Sequence, residues 1–122
     1  MFRGGVVTVY VSDMDRAVRF YAETLGFTLT ERHGSHWASL DGGPGLTIGL
    51  HPATAEVPAG QQGSIALGLY LDQPIADTMS RLTSRGVQFS GPVIEDKALS
   101  LAFFADPDGN PLYLAEMKQV YR

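Results

Sequence analysis

Three histidines, His33, His36 and His51, and a scatter of carboxylates are the side chains here with the chemistry to hold a cation or move a proton. His36 and His51 fall on neighbouring strand patterns, and Glu31, Asp41, Glu56 and Glu95 are the acids that could approach them. None of these residues stands at a spacing that marks a ligand set. His51 therefore reads as a polar group at a strand end, and His33, beside Gly34, as a solvated turn neighbour. Nucleophilic chemistry has less to work with: there is no cysteine, no Gly-x-Ser-x-Gly elbow, and Ser35 between Gly34 and His36 has the setting of a turn. Gly42-Gly43-Pro44-Gly45 lacks a lysine and runs into a strand, which excludes a phosphate loop. Asp106 and Asp108 flank Pro107 and Gly109 and read as a hairpin turn, not as paired acids. No catalytic residue is assigned.

The aromatic residues are more informative, and the elements that must position them occur twice. Val6 to Val11 alternates as a strand, Ser12 and Asp15 have capping-box spacing, and Met14, Val18, Tyr21, Ala22 and Leu25 form a helical stripe that Gly26 ends. Sixty residues further on, Ala66 to Leu71 is again a strand. Gln73-Pro74 then opens a helix with Pro74 at its first position, Ile75, Met79 and Leu82 repeat along it, and Gly86 closes it. Tyr10 aligns with Tyr70 and Gly26 with Gly86, as in a duplicated unit. Phe27 to Glu31, His36 to Leu40 and Leu46 to His51 read as the remaining strands of the first copy. In the second copy these are Val87 to Ser90, Leu99 to Phe104, and a last strand through Leu112 and Met117, with a break at Gly91-Pro92 and a turn at Asp106 to Asn110. Module one thus covers about 1–51 and module two about 64–122, joined by a linker over about 52–63, within one domain of 1–122.

Four strands carry one apolar face and one mixed face. Val7, Val9 and Val11 oppose Val6, Thr8 and Tyr10, and Leu46, Ile48 and Leu50 oppose Thr47, Gly49 and His51. Ile65, Leu67, Leu69 and Leu71 oppose Ser64, Ala66, Gly68 and Tyr70, and Leu112 and Leu114 oppose Tyr113, Ala115 and Met117. The apolar faces pack under the helices, leaving the mixed faces to line a cleft between the copies. Gly49, Ala66, Gly68 and Ala115 would leave room there, and Tyr10, Tyr70 and Tyr113 would supply walls. Trp37, the single tryptophan, reads equally as core filling or cleft wall. The other readings of the mixed faces are solvated sheet, or sheet covered by a partner subunit.

A chain of 122 residues with 44% hydrophobic content suits one core, and 14 glycines with 7 prolines point to tight turns over long helices. A net charge of −4 and scattered basic residues argue against nucleic acid. No apolar run has the length of a membrane span and no signal-peptide pattern opens the sequence, so the expectation is a cytoplasmic protein without membrane contact.

Val11-Ser12-Asp13-Met14-Asp15-Arg16-Ala17-Val18-Arg19-Phe20-Tyr21, Leu25-Gly26-Phe27 and Phe103-Phe104-Ala105-Asp106-Pro107-Asp108-Gly109-Asn110 resemble the vicinal oxygen chelate superfamily, the glyoxalase, bleomycin-resistance and extradiol-dioxygenase group. The resemblance covers nearly the whole chain, but its motifs are caps and turns, specific for fold rather than chemistry. It implies paired βαβββ modules whose cupped sheets hold the site, commonly in a homodimer. Family enzymes usually hold a divalent metal through His, Gln or Glu on the first and last strands of each module. Carried onto this chain, those positions are Val6, then Ala66 or Ser64, then Gly49 or His51, and Tyr113. Val, Ala and Gly side chains carry no donor, and a neutral tyrosine is a poor replacement for glutamate. The expectation is no metal and no cofactor.

The expected fold is therefore α+β, two βαβββ modules related by internal duplication, with cupped mixed β-sheets and two main helices. The expected function is metal-independent binding of a small organic ligand, bulky or planar, such as an antibiotic held by sequestration. Tyr10, Trp37, His51, Tyr70, Phe103 and Tyr113 would contact it, and Thr8, Thr47 and Ser64 would offer hydrogen bonds. One alternative is a metal-dependent lyase, isomerase or dioxygenase with substituted ligands, to which His36 or His51 would contribute. The other is a protein-interaction module that uses the mixed sheet face.

Overall fold

A computed structural model describes residues 1, 4–60 and 65–118. The chain forms two compact units, Met1–Gln61 with Pro107–Asn110, and Gln62–Asp106 with Pro111–Arg122. The first holds β1 (Val7–Val11), α1 (Met14–Val18) continued by a π-helical segment Arg19–Thr24, β2 (Thr28–His33), β3 (Trp37–Asp41) and β4 (Thr47–Pro52). The second holds β5 (Leu67–Tyr70), α2 (Ile75–Ser84), β6 (Ser90–Glu95), β7 (Leu99–Ala105) and β8 (Pro111–Met117). The sheets run β1-β4-β3-β2 and β5-β8-β7-β6, each with one parallel pair and two antiparallel pairs. This is one βαβββ module drawn twice, an α+β fold.

Burial follows the strand alternation. In the first unit Val9, Val11, Ala38, Leu40, Ile48 and Leu50 lie buried with Met14, Ala17, Val18 and Tyr21 of the helix. Removing each large aliphatic or aromatic side chain from water contributes roughly 1.5–3 kcal/mol. In the second unit Leu67, Ala102, Phe104, Leu112 and Leu114 are buried with Ile75, Leu82 and Val87. Ile65 departs from the expected apolar face. It precedes β5 and is 76% exposed, because the sheet begins only at Leu67.

Local departures have local causes. Asp13, not Ser12, caps α1, accepting from the Arg16 N–H at 3.1 Å. Ser12 is held elsewhere, by Asp108. The expected helix over Met14–Leu25 loosens after Val18, where Leu25 N–H reaches back five residues to the Phe20 carbonyl at 2.9 Å. This widening leaves Ala22 and Leu25 only half-buried while Tyr21 is fully enclosed. Pro74 lies outside α2, whose first N–H, on Ile75, donates to Glu116 of β8 at 2.9 Å. The expected break at Gly91-Pro92 is instead the interior of β6. Its register against β7 shifts between Ser90 and Ile94, which gives the Gly91-Pro92 pair room outside the ladder. Val87 to Phe89, expected as strand, precede it.

Asp96 organises the β6–β7 turn by accepting from the Ala98 and Leu99 N–H groups at 2.7 and 2.9 Å. These two donors, Ala98 first, hold its carboxyl below the ordinary carboxylate value. A carboxyl depressed in the folded state contributes stability above its unfolded value, and that contribution is lost as pH falls through the folded value. Asp96→Asn should therefore flatten the acid side of the stability–pH curve, and an NMR titration of wild-type Asp96 should give a midpoint below 3.8.

Candidate ligand-binding site

The mixed face of the first sheet gathers three of the expected aromatic groups. Tyr10 of β1 pairs with His51 of β4, their rings 5.3 Å apart and tilted. On the other side of β4, Trp37 of β3 meets His51 edge to face at 6.5 Å. Tyr10, His51 and Trp37 therefore form a row across three adjacent strands, all half-buried. The indole is fixed at both ends. Its Nε1–H donates to Ser39 Oγ at 2.7 Å, and its six-membered ring lies where a side chain of Gly49 would stand. A β-carbon on Gly49 would fall 2.2 Å from Trp37 Cη2 and 2.5 Å from Cζ2. The Gly49 space expected for a ligand is thus filled by Trp37, because only glycine lets the indole come this close to the backbone.

The imidazole is also oriented. His51 Nδ1 lies 2.8 Å from the Pro52 carbonyl oxygen, which can only accept, so Nδ1 carries the hydrogen. Beyond Trp37 the row continues to His33 of β2, which is exposed and hydrogen-bonded through Nε2 to the Glu31 carboxylate. His36 lies in the β2–β3 turn, where its N–H donates to the His33 carbonyl. Thr8 pairs with Gly49 and is exposed beside the aromatic row. Thr47 pairs with Asp41 near the other end of β4, at a recess of about 530 Å³ lined also by Gly4, Gly5, Gly45 and Leu46.

In the second unit Phe103 and Tyr113 stand opposite one another on β7 and β8, rings 5.6 Å apart. Here too a glycine is roofed: a β-carbon on Gly68 would lie 2.4 Å from the Tyr113 ring and hydroxyl. Tyr70 is 82% exposed and pairs with Ala115, two residues along β8 from Tyr113. Leu101 pairs with the same Ala115 and with Ile94, so this face is largely apolar, with Ile94 and Met117 among its exposed side chains. Ser64 lies outside the described residues. Sequence reasoning missed Ser39 and Leu101. Ser39 stands two residues after Trp37, and Leu101 alternates with Phe103, so the period of two marks both.

The glyoxalase/bleomycin resistance protein/dioxygenase superfamily model matches residues 5–114. The chain belongs to that superfamily. Its fold is matched by TnmS3, an antibiotic binding protein from Streptomyces sp. CB03234, at 30% identity and a TM-score of 0.79, covering 96% of this chain and 97% of that one. A glyoxalase/bleomycin resistance protein from the same Streptomyces aligns at 32% identity and a TM-score of 0.74, covering 92% and 98%. A protein of Mycolicibacterium smegmatis is 40% identical over 60 residues, which span 45% of this chain and half the length of that relative.

The superfamily's enzymes imply a divalent metal, and the residues at those positions do not fit one. Val6 and Ala66 offer no donor, Gly49 is covered by the Trp37 ring, Tyr113 packs its phenol over Gly68, and His51, the alternative to Gly49, would bring a single imidazole where about three ligands are needed; Ser64 lies outside the described residues. Among the described residues no three His, Asp or Glu side chains converge as a cation site. Among them, too, no helix is long and apolar enough to cross a membrane.

Proposed function

We propose that this member of the superfamily binds a bulky or planar organic molecule without a metal, holding it by stacking and burial rather than by chemistry. The observation that carries this reading is the Trp37 indole, lying over Gly49, held by its bond to Ser39 and continued by His51 and Tyr10. A ring fixed before binding loses little freedom on contact, which is what a stacking platform needs. Phe103 and Tyr113 offer a second aromatic pair, with Tyr70 on the same sheet face, and Thr8 and Thr47 supply hydroxyls. The antibiotic-binding description of TnmS3 supports an antibiotic as the ligand class. The protein acts as a cytoplasmic homodimer that does not engage nucleic acid, as its net charge of −4 favours.

Titration of the purified protein with a panel of planar and glycopeptide antibiotics, followed by Trp37 fluorescence, should give saturable changes with at least one member. Silence across the panel would sink the reading. Elemental analysis of untagged, chelator-free protein should show no stoichiometric zinc, nickel, manganese or iron, and sedimentation should give a dimer mass.

A further inference from the structure

We infer that the ligand of the first sheet face carries a phenolic or enolic hydroxyl at the edge of its planar ring system, accepted by His51 Nε2; this rests on the stacking role proposed for Trp37 and Tyr10. The Pro52 carbonyl has no hydrogen to give, so its 2.8 Å contact places the imidazole hydrogen on Nδ1. In the neutral ring Nε2 is then an acceptor with its lone pair in the ring plane. No described residue bonds Nε2. Among the described residues that are not fully exposed, no side-chain nitrogen or oxygen is both sealed from solvent and unpaired. Nε2 of the half-buried His51 therefore opens to solvent, between an aromatic neighbour at 5.3 Å and another at 6.5 Å.

A flat ligand stacked in this row displaces the water that Nε2 otherwise holds. A ligand edge made only of carbon leaves the nitrogen dehydrated and unpaired, whereas an O–H in the ring plane replaces the lost bond. Aromatic and enolic hydroxyls meet both demands at once: they lie in the plane of the stacking ring, and they are stronger donors than aliphatic alcohols. Selectivity at this site thus comes from His51 and affinity from the rings beside it.

Calorimetric titration with 2-naphthol and 2-methoxynaphthalene, which share the ring system and differ by replacement of the O–H with O–CH3, tests this. Wild-type protein should bind 2-naphthol about tenfold or more tightly than its methyl ether. His51→Phe keeps a flat ring between Tyr10 and Trp37 but no acceptor, and should abolish the preference while still binding the ether. If that variant fails to fold, the 15N shift of His51 Nε2 in the unmodified protein serves instead, moving with 2-naphthol and not with the ether. Equal affinities in wild type, a preference that survives in His51→Phe, or an Nε2 signal indifferent to 2-naphthol would overturn the assignment and leave stacking intact. No binding of either compound up to its solubility limit would overturn both.

Discussion

Gly60→Ala should lower the thermal midpoint by on the order of 10 °C, the largest stability loss expected from any single methyl addition in the first unit. Gly60 has φ +71°, and a β-carbon there would stand 1.8 Å from the Asp108 carbonyl oxygen and 2.9 Å from its carbon. Those are backbone atoms of the β7–β8 turn, so no rotamer change relieves the clash. The turn itself is pinned. The Asp108 side chain, only 7% exposed, accepts from Ser12 N–H at 3.1 Å, from the Ser12 hydroxyl at 2.5 Å and from Arg16 Nη2 at 3.3 Å. Asn110 Nδ2 also donates to the Tyr10 carbonyl at 3.2 Å. Making room means moving one of two anchored segments and forcing a left-handed alanine, together about 2–4 kcal/mol. Scanning calorimetry checks it, and an unchanged midpoint would mean that the linker does not approach the turn.

Gly49→Ala should expel the indole from the sheet, with effects on both spectrum and binding. The added methyl would overlap three carbons of the Trp37 six-membered ring at 2.2 to 3.0 Å, and the ring cannot slide without breaking its 2.7 Å bond to Ser39. Because Trp37 is the single tryptophan, the emission maximum should move to the red and acrylamide quenching should rise. The fold should survive with a loss of about 1–3 kcal/mol, the usual cost of an overpacked methyl. Affinity for a stacking ligand should fall as far as in Trp37→Ala. An unshifted spectrum would show that the indole does not rest on Gly49, and with it would go the stacking platform.

Most of the architecture was legible because its signals are short-range. The alternation of Val7, Val9 and Val11 against Thr8 and Tyr10, the Gly26 and Gly86 stops, and the repeat sixty residues on all predicted two modules, and both are present. Where reading by local rules failed, a distant group had intervened. Ser12 looked like a helix cap, but Asp108, 96 residues away, takes its hydroxyl, and the cap passes to Asp13. Gly91-Pro92 looked like a break, but pairing with β7 carries β6 through it on a shifted register. Gly49 and Gly68 looked like open space, but Trp37 and Tyr113 fill them. The aromatic residues of the two sheets were therefore visible before their arrangement. Tyr10, Trp37, His51, Phe103 and Tyr113 could be named individually, but which of their rings neighbour one another came only from strand register.

By itself the sequence determined the duplication, the order of helix and strands, the two-faced character of each sheet and the donor-poor character of the inherited metal positions. Apart from the sixty-residue offset of the repeat and the family pattern that locates the metal positions, these depend on residue type and on spacings within a few turns of chain. Only the tertiary structure decided that the indole lies on Gly49, that Pro52 sets the His51 tautomer, and that the β7–β8 turn is bound to the start of α1. Those outcomes depend on cross-strand register and on contacts between residues far apart in the chain, which no local periodicity encodes.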